Sequence, residues 1–497
     1  MCKLLFTFLL TLLLFSTKAQ AYSQVLNNVI VKSDAFIAKG KLDNTLKPFL
    51  GKDIDLKLLQ KVLDELSYLY KESGYLGAQA FYPDQQSSNG VIEVVVATAK
   101  LNEITLNNLS DTSYKTVYKL FSKVRESQNK TINTKDLNEA LLKVKDLNVF
   151  DVAGYFEKSQ LKDDGVDLNI DIKPKNRFGY QFFYDNYGTE STGKNRFVGV
   201  LNTHNLTKHA DTAYLVVART DKAQNNLDFS YKLPVNQRLD EVGLKLSYGS
   251  YDISKSQTSL DTKGTILDFG LFVKDPIYRT INSKASFEIG ADIKCVKDKF
   301  EDFDVSLSRQ LLNGYTSFRL DNYFENLNLS HGLKANFVKV KPKDEYQIFD
   351  ERSYAITTFD SDIVFDFATY FSLSNSLLAQ VSTNSVDSAD KFTIGGPYGV
   401  KAYQSNVASS DNGLFDDLKL TLKLKSSPSV NLFTNFMQAH AKNDNGDKES
   451  FYGIGLGADF YYQGFFIEGS INKAIGKNKI YAKDKTRFLI KFGYAKV

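Results

Sequence analysis

The sequence predicts two small α+β modules followed by an all-β transmembrane barrel of about 16 antiparallel strands, and three observations point there. Apolar stripes at the three-four spacing of helices occur only before residue 175, the firmest being Leu56, Leu59, Val62, Leu63, Leu66, Leu69 and Tyr70. From Asn176 onward the helix-like signals stop, and short runs alternate apolar with polar residues between polar connections. Beyond residue 21 no apolar run reaches the roughly 18 residues of a spanning helix, so a membrane-crossing chain would cross with strands.

The first element is a secretory leader. Lys3 precedes the apolar run Leu4 to Phe15, and a polar stretch ends at Ala19-Gln20-Ala21. That run is too short to span, and the small residues suit cleavage, so residues 1–21 read as a signal peptide with Tyr22 as the first mature residue. Cys2 leaves with the leader. The exported chain keeps only Cys295, so no internal disulfide is expected.

Composition narrows the class further. The chain has 28 Tyr, 37 Phe and no Trp, so interfacial aromatic belts would rest on Tyr and Phe. A hydrophobic share of 42% is what alternating lipid-facing and lumen-facing positions give, although a large soluble β-protein would fit composition alone. With 62 Lys and Arg against 58 Asp and Glu, the net charge of +4 favours neither nucleic acid nor an acidic substrate.

Residues 22–100 form the first module: a strand near Val29 to Ala38, a short helix near Leu42 to Leu50, and a helix from about 55 to 73. Asp55 caps that helix and Gly74 ends it. Strands Tyr75 to Tyr82 and Val91 to Thr98 follow, separated by the turn-rich PDQQSSNG. This β-α-α-β-β order describes a POTRA domain, a periplasmic module whose sheet edge can accept an extended chain by β-augmentation. The stretch YLYKESGYLGAQAFYPDQ, with GVIEVVV after it, resembles the first such module of the hemolysin-activator family, the outer-membrane transporters of two-partner secretion, with Pro83 and Gln85 in the family's places. Tyr75, Pro83 and Gln85 are accordingly its substrate-binding candidates. A mere spacer is the alternative. Members of that family often carry a plug helix ahead of this module; residues 22–28 leave no room for one, so none is expected.

Residues 101–175 repeat the order more faintly. A strand spans Asn102 to Leu106, a helix lies within Ser113 to Val124, another spans Thr134 to Val144, and strands fall near Val149 to Glu157 and Val166 to Ile172. A second POTRA domain is expected.

The barrel takes residues 176–497. Alternating runs include Gly179 to Tyr187, Asn195 to Asn202, Ala213 to Arg219 and Val242 to Tyr251. Its opening stretch FFYDNYGTESTGKNR resembles the family's first strand and hairpin at Asp185, Asn186, Gly188, Thr192 and Gly193. The closing stretch alternates as Phe488, Ile490, Phe492 and Tyr494, as a lipid-facing last strand should, though the chain ends in Val497 and not in the Phe usual for this class.

Within the barrel, IGGPYGVKAY at Ile394 to Tyr403 resembles the family's long sixth extracellular loop, where a Gly pair precedes a Val-Arg-Gly-aromatic tetrad. The loop is expected over residues 392–412. Its motif residues are Gly395, Gly396, Gly399, Val400, Lys401 and Tyr403, and three glycines beside a proline require unusual backbone angles. In the family the loop's Arg enters the lumen and pairs with an Asp in a Phe-x-Asp-x-Gly motif on the wall. The matching stretch here is Phe436-Met437-Gln438-Ala439-His440, so the resemblance pairs Lys401 with Gln438. Lys lacks the planar donor fork of Arg, and Gln carries no charge, so a single neutral-partner hydrogen bond is expected, not an ion pair. Lys401 could equally be a solvated loop lysine. In the following stretch SSDNGLFDDLKL, Asp411 and Gly413 match the family, and Asp417 lies near an expected acid.

No catalytic, metal or cofactor site emerges. The four histidines His204, His209, His331 and His440 lack ligand companions at useful spacing, and no phosphate loop or nucleophile elbow is present. The resemblance implies an outer-membrane pore, its POTRA domains in the periplasm, that captures an unfolded exported partner, an adhesin or hemolysin, and passes it to the surface without ATP. The other partners it implies are outer-membrane lipid and, during biogenesis, the barrel assembly machinery. The alternatives are an assembly factor that inserts other outer-membrane proteins, against which the two-module count speaks, and a diffusion porin, which would leave residues 22–175 unexplained.

Overall fold

The computed structural model describes residues 24–85, 89–160, 165–222, 224–253, 261–343, 351–405, 407–424, 427–442, 446, 448–478 and 486–496. The expected leader and the chain end at Val497 lie outside these residues, as do the first residues of the segment on which the plug expectation rests. The chain divides into two compact units. One runs through Ile104 and adds Ser127–Leu137 and Phe156–Leu168; the other comprises Thr105–Glu126, Asn138–Tyr155 and Asn169–Val497.

The first module contains β1 (Asn28–Lys32), α1 (Lys39–Leu46), α2 (Leu56–Glu72), β2 (Gln79–Phe81) and β3 (Val91–Ala97). Its sheet order is β1-β3-β2, with β1 parallel and β2 antiparallel to β3. The Asp55 carboxylate accepts the Leu58 N–H at 2.6 Å, so α2 starts where the cap predicts. Leu58, Val62, Leu66 and Tyr70, each four residues apart, are its buried face and pack against Val29, Ile92, Val94 and Val96. Burying each such side chain contributes about 1.5–3 kcal/mol.

Two strands are shorter than their patterns suggest. β1 stops at Lys32 because the Ser33 hydroxyl folds back to the Val96 carbonyl (2.9 Å) and accepts the Ala35 N–H (3.1 Å). β2 starts only at Gln79 because Gly77 sits at φ +65° and Tyr75 is engaged elsewhere.

The second module contains β4 (Lys100–Asn108), α3 (Tyr114–Leu120), α4 (Ser122–Arg125), α5 (Thr134–Asp146), β5 (Phe150–Lys158) and β6 (Gly165–Pro174), with sheet order β4-β6-β5. Ser113 caps α3 by accepting the Thr116 N–H. Within the larger unit, Asp146 at the end of α5 receives both the guanidinium of Arg279 (2.9 Å) and the ammonium of Lys284 (3.7 Å).

Sixteen antiparallel strands then close into a barrel, from Phe178–Asp185 to Thr486–Lys496, the last pairing with the first from Lys491↔Asp185 to Lys496↔Tyr180. Asn186 extends that seam: its amide donates to the Phe488 carbonyl and accepts the Ile490 N–H, each at 2.9 Å. Period-two alternation sorts the wall into faces. On the seventh barrel strand, Ser283–Phe300, the apolar Phe287, Ile289 and Ile293 are exposed, whereas Glu288, Asp292 and Lys294 point inward and are paired with other side chains. On the last strand Phe488 and Phe492 face out while Leu489 is buried, matching the expected alternation. No described helix is long and apolar enough to cross a membrane.

Candidate functional site

Residues 383–411 join the eleventh barrel strand (Phe371–Ser382) to the twelfth (Asn412–Leu424), so the loop begins ahead of the expected residue 392 and Asn412 already belongs to the wall. It folds in three parts. A root spans 383–391, a two-residue hairpin pairs Phe392–Thr393 with Ser409–Ser410, and a tip arches between them. The loop runs inside the barrel, because it packs on inward residues of strands far apart around the wall.

The tip is wound tightly enough to explain its glycines. Val400 N–H donates to the Ile394 carbonyl (2.9 Å), Gly396 N–H to the Tyr403 carbonyl (3.0 Å) and Tyr403 N–H to the Val400 carbonyl (3.0 Å). Of the three motif glycines only Gly396 has a positive φ, +93°, so the unusual angle expected of this run sits there. Gly395 and Gly399 are required by close approach instead: a Cβ there would collide with the Gln404 and Ile394 carbonyl oxygens. Ile394, Val400, Ala402 and Tyr403 form a buried cluster with Met437, Ala439 and Phe451 of the wall, and the Tyr403 ring meets Phe451 edge-on at 5.0 Å. The Tyr403 carbonyl accepts from Arg487 at 2.6 Å. Tyr398 stays exposed, 6.4 Å edge-on from Tyr187.

Lys401 does not meet Gln438. Its ammonium donates to Asp417 at 3.1 Å, and Asn435 donates to the other oxygen of that carboxylate at 2.9 Å. The bond is therefore an ion pair, which overturns both the expected partner and the expected neutral bond. The reason is parity. On the thirteenth strand, Ser429–Lys442, Phe436 is exposed on the outer face and Gln438 shares its side, donating to Asp416 at 3.1 Å. Phe433, Asn435, Met437 and Ala439 face the loop instead. The available signal was the stretch Phe433-Thr434-Asn435, which repeats the Phe-x-polar pattern three residues earlier, on the inward parity, with Asn435 diagonally across from the acid Asp417 that the sequence already offered.

The root carries a second and drier attachment that sequence reasoning missed. Arg309 of the eighth strand makes a two-pronged contact with Asp387: Nε to Oδ2 at 2.7 Å and Nη2 to Oδ1 at 3.0 Å. Arg309 also reaches Ser388 and Asp298, each at 2.9 Å. Both charged side chains are almost wholly enclosed, at 2% and 1% exposure, against 24% and 13% for Lys401 and Asp417. Asp390 adds Lys294 (2.7 Å) and Tyr354 (2.8 Å), and Val386 sits in an apolar cluster with Val296, Leu311 and Val338. Asp411 ties root to hairpin, accepting from Lys391 and the Val386 N–H, each at 2.9 Å.

At the barrel's start, Asp185 is fully buried and held two-pronged by Arg196 at 2.8 and 2.9 Å, while also accepting the Tyr187 N–H at 2.9 Å.

In the first module the sequence candidates are occupied by the module itself. The Tyr75 hydroxyl donates to the Phe36 carbonyl (2.8 Å) and accepts the Phe36 N–H (3.1 Å). Gln85 accepts the Glu93 N–H (2.7 Å) and donates to the Glu93 carbonyl (2.6 Å), covering the part of β3 that β2 leaves unpaired. Pro83, half-buried, sits two residues before it. Burial pushes the nearby Tyr82 phenol up to about 12, and its hydroxyl donates to the Leu59 carbonyl. On the other side of β2 lies a groove of about 540 Å³ between α2 and β2, lined by Leu63, Ser67, Tyr68, Gln79 and Ala80. The Ser67 hydroxyl already takes the Ala80 N–H at 2.8 Å. Among the described residues no acidic, His or Cys cluster could hold a metal ion.

Two family models match the chain: "Haemolysin secretion/activation protein ShlB/FhaC/HecB" over residues 164–460 and "POTRA domain, ShlB-type" over residues 25–98. The heme/hemopexin transporter protein HuxB of Haemophilus influenzae strain 86-028NP is 24% identical over 411 residues, spanning 78% of this chain and 69% of that protein. The outer membrane transporter CdiB of Escherichia coli is 20% identical over 449 residues, spanning 81% and 70%. Among solved structures, CdiB from Escherichia coli shares the fold with a TM-score of 0.81 at 17% identity, over 97% of this chain and 92% of that one. BamA from Haemophilus ducreyi, lacking POTRA domains 1–3, does so with a TM-score of 0.55 at 14% identity, over 95% and 100%.

Proposed function

The chain belongs to the haemolysin secretion/activation (ShlB/FhaC/HecB) family, and from that membership we propose that it is the outer-membrane pore of a two-partner secretion pair. It takes an unfolded exported protein, an adhesin or hemolysin, from the periplasm and passes it through the barrel to the cell surface. The periplasm holds no ATP, so folding of the partner outside supplies direction. The observation that carries this reading is the loop inside the closed barrel, tethered to the wall by charge at Lys401–Asp417 and Arg309–Asp387. Such a loop closes the resting pore, and its tip can shift without breaking the wall, because the tip meets the wall through wall side chains and not by strand pairing.

Capture falls to the first module. Gln85 seals one part of β3, which leaves the groove between α2 and β2, with the exposed Tyr68, as the surface for an extended chain.

Deleting Gly395 to Tyr403 tests the reading. Co-expressed with a cognate exported partner protein, the deletion variant should insert its barrel and fail to secrete. Normal secretion by that variant would sink the proposal. Depletion of the intact chain should leave other outer-membrane proteins at normal levels; their loss would support an assembly factor instead.

A further inference from the structure

The loop's two attachments differ in kind, and the difference assigns them different roles. At the root, a planar guanidinium grips a carboxylate with two parallel bonds, both groups nearly dry, with Ser388 and Asp298 taking further donors of the same arginine. Removing one partner there leaves a nearly dry charge dependent on its lesser charged partner, Asp298 for Arg309 at 2.9 Å or Arg352 for Asp387 at 3.7 Å, which makes the pair costly to break. At the tip, Lys401 offers a single bond to a carboxylate that water reaches, and a lysine ammonium is readily rehydrated once it leaves; the tip's other holds, the Arg487 bond to the Tyr403 carbonyl and apolar contacts with Met437, Ala439 and Phe451, include no ion pair. The two-residue hairpin between root and tip, closed by Phe392 and Ser410, is a narrow joint about which the tip can turn while the root stays in place.

We infer that Arg309 and Asp387 are positioning residues that pin the loop's root to the eighth barrel strand, so that only the tip from Ile394 to Ala408 swings when the pore opens. The loop then behaves as a hinged flap and does not leave the barrel as a whole. This rests on the secretion-pore reading for its purpose, but the pinning itself is measurable without any transported protein.

The experiment uses the full-length protein in lipid vesicles with its exposed thiol removed by Cys295→Ser. One reporter cysteine is placed at the root, Val386→Cys, and one at the tip, Ala402→Cys. These positions are matched in burial, at 2% and 4% exposure, so their reaction rates with iodoacetamide report local opening and not resting access. The tip thiol should react at least about tenfold faster than the root thiol, in line with a wet single bond against a dry double one. Arg309→Gln, or Asp387→Asn should the first variant fail to insert, should raise the root rate and leave the tip rate unchanged. Asp417→Asn should do the reverse. Equal rates at root and tip in the parent protein would overturn the inference. So would a root rate unmoved by both clamp variants, or one in which every variant accelerates both thiols together. Failure of secretion, by contrast, would touch the function and leave these rates as they are.

Discussion

Asp417 serves two donors at once, the Lys401 ammonium on Oδ2 and the Asn435 amide on Oδ1, so the loop's one tip cation is held by an acid whose direction is itself fixed. Asp417→Asn keeps the shape and removes the charge, which should weaken the tether by about 1–2 kcal/mol. Gln438→Ala, on the outer face, should change the tether by less than about 0.5 kcal/mol. Single-channel recording in planar bilayers separates them: the Asp417 variant should spend more time open and the Gln438 variant should match the parent. The opposite ranking would restore Gln438 as the partner.

Gly396→Ala addresses the tip's shape and not its charge. At φ +93° an alanine is strained, and its Cβ would press on Ser405, whose Cα lies 2.9 Å from the ideal position. A cost of about 1–2 kcal/mol is expected, enough to loosen a tip whose only ion pair among the described residues is Lys401–Asp417. The variant should insert normally, show the open-prone conductance of Asp417→Asn, and gain little further from combination with it, since both act on the same element. Full additivity of the two would mean that they loosen different things.

What the sequence reveals and what it conceals divides along one physical line. Asp55, with Leu58, Val62, Leu66 and Tyr70 after it, places α2 within a residue, because a cap and a stripe are local properties. The sixteen strands follow from alternation, also local. The partner of Lys401 is not local: choosing Gln438 over Asp417 turned on which parity of one strand faces inward, and a motif match displaced by an odd number of residues reverses that answer. The Arg309–Asp387 clamp left no local signal at all, since its members lie in separate segments and neither stands in a recognisable pattern. Tyr75 and Gln85 show a third case, in which the resemblance picked positions for partner contact and the structure shows them occupied by the module's own backbone.

The Asp185–Arg196 pair should matter chiefly to the barrel, its one link to the loop among the described residues being a long 3.4 Å bond from Arg196 to the exposed Tyr398 hydroxyl. Asp185 is fully buried at the end of the first strand, next to the closing seam, and Asn186 beside it completes that seam. Asp185→Asn leaves a mostly buried guanidinium without its counter-charge, at a cost of about 3–5 kcal/mol. The temperature at which the protein loses its compact electrophoretic mobility should fall, with open probability below that temperature changed less than by Asp417→Asn. A variant that opens without losing heat resistance would place the pair in the gate instead.

In the first module, Gln85 and Tyr68 make opposite predictions. Gln85→Ala removes two bonds to the Glu93 backbone, but that residue's surroundings are exposed and water can replace them, so the loss should be only about 0.5–1.5 kcal/mol. It should appear as faster proteolysis of the module in the intact protein, with secretion little changed. Tyr68 makes the converse case: it projects from α2 beside the groove and is largely exposed, so Tyr68→Ser should leave proteolysis as it was. If an extended chain lies in that groove, the same substitution removes a large apolar surface from the contact and secretion should fall several-fold, a loss of roughly 1–2 kcal/mol of binding. Should Gln85→Ala abolish secretion while proteolysis stays normal, the exposed part of β3 would be the capture edge after all, and the glutamine its occupant in the resting state.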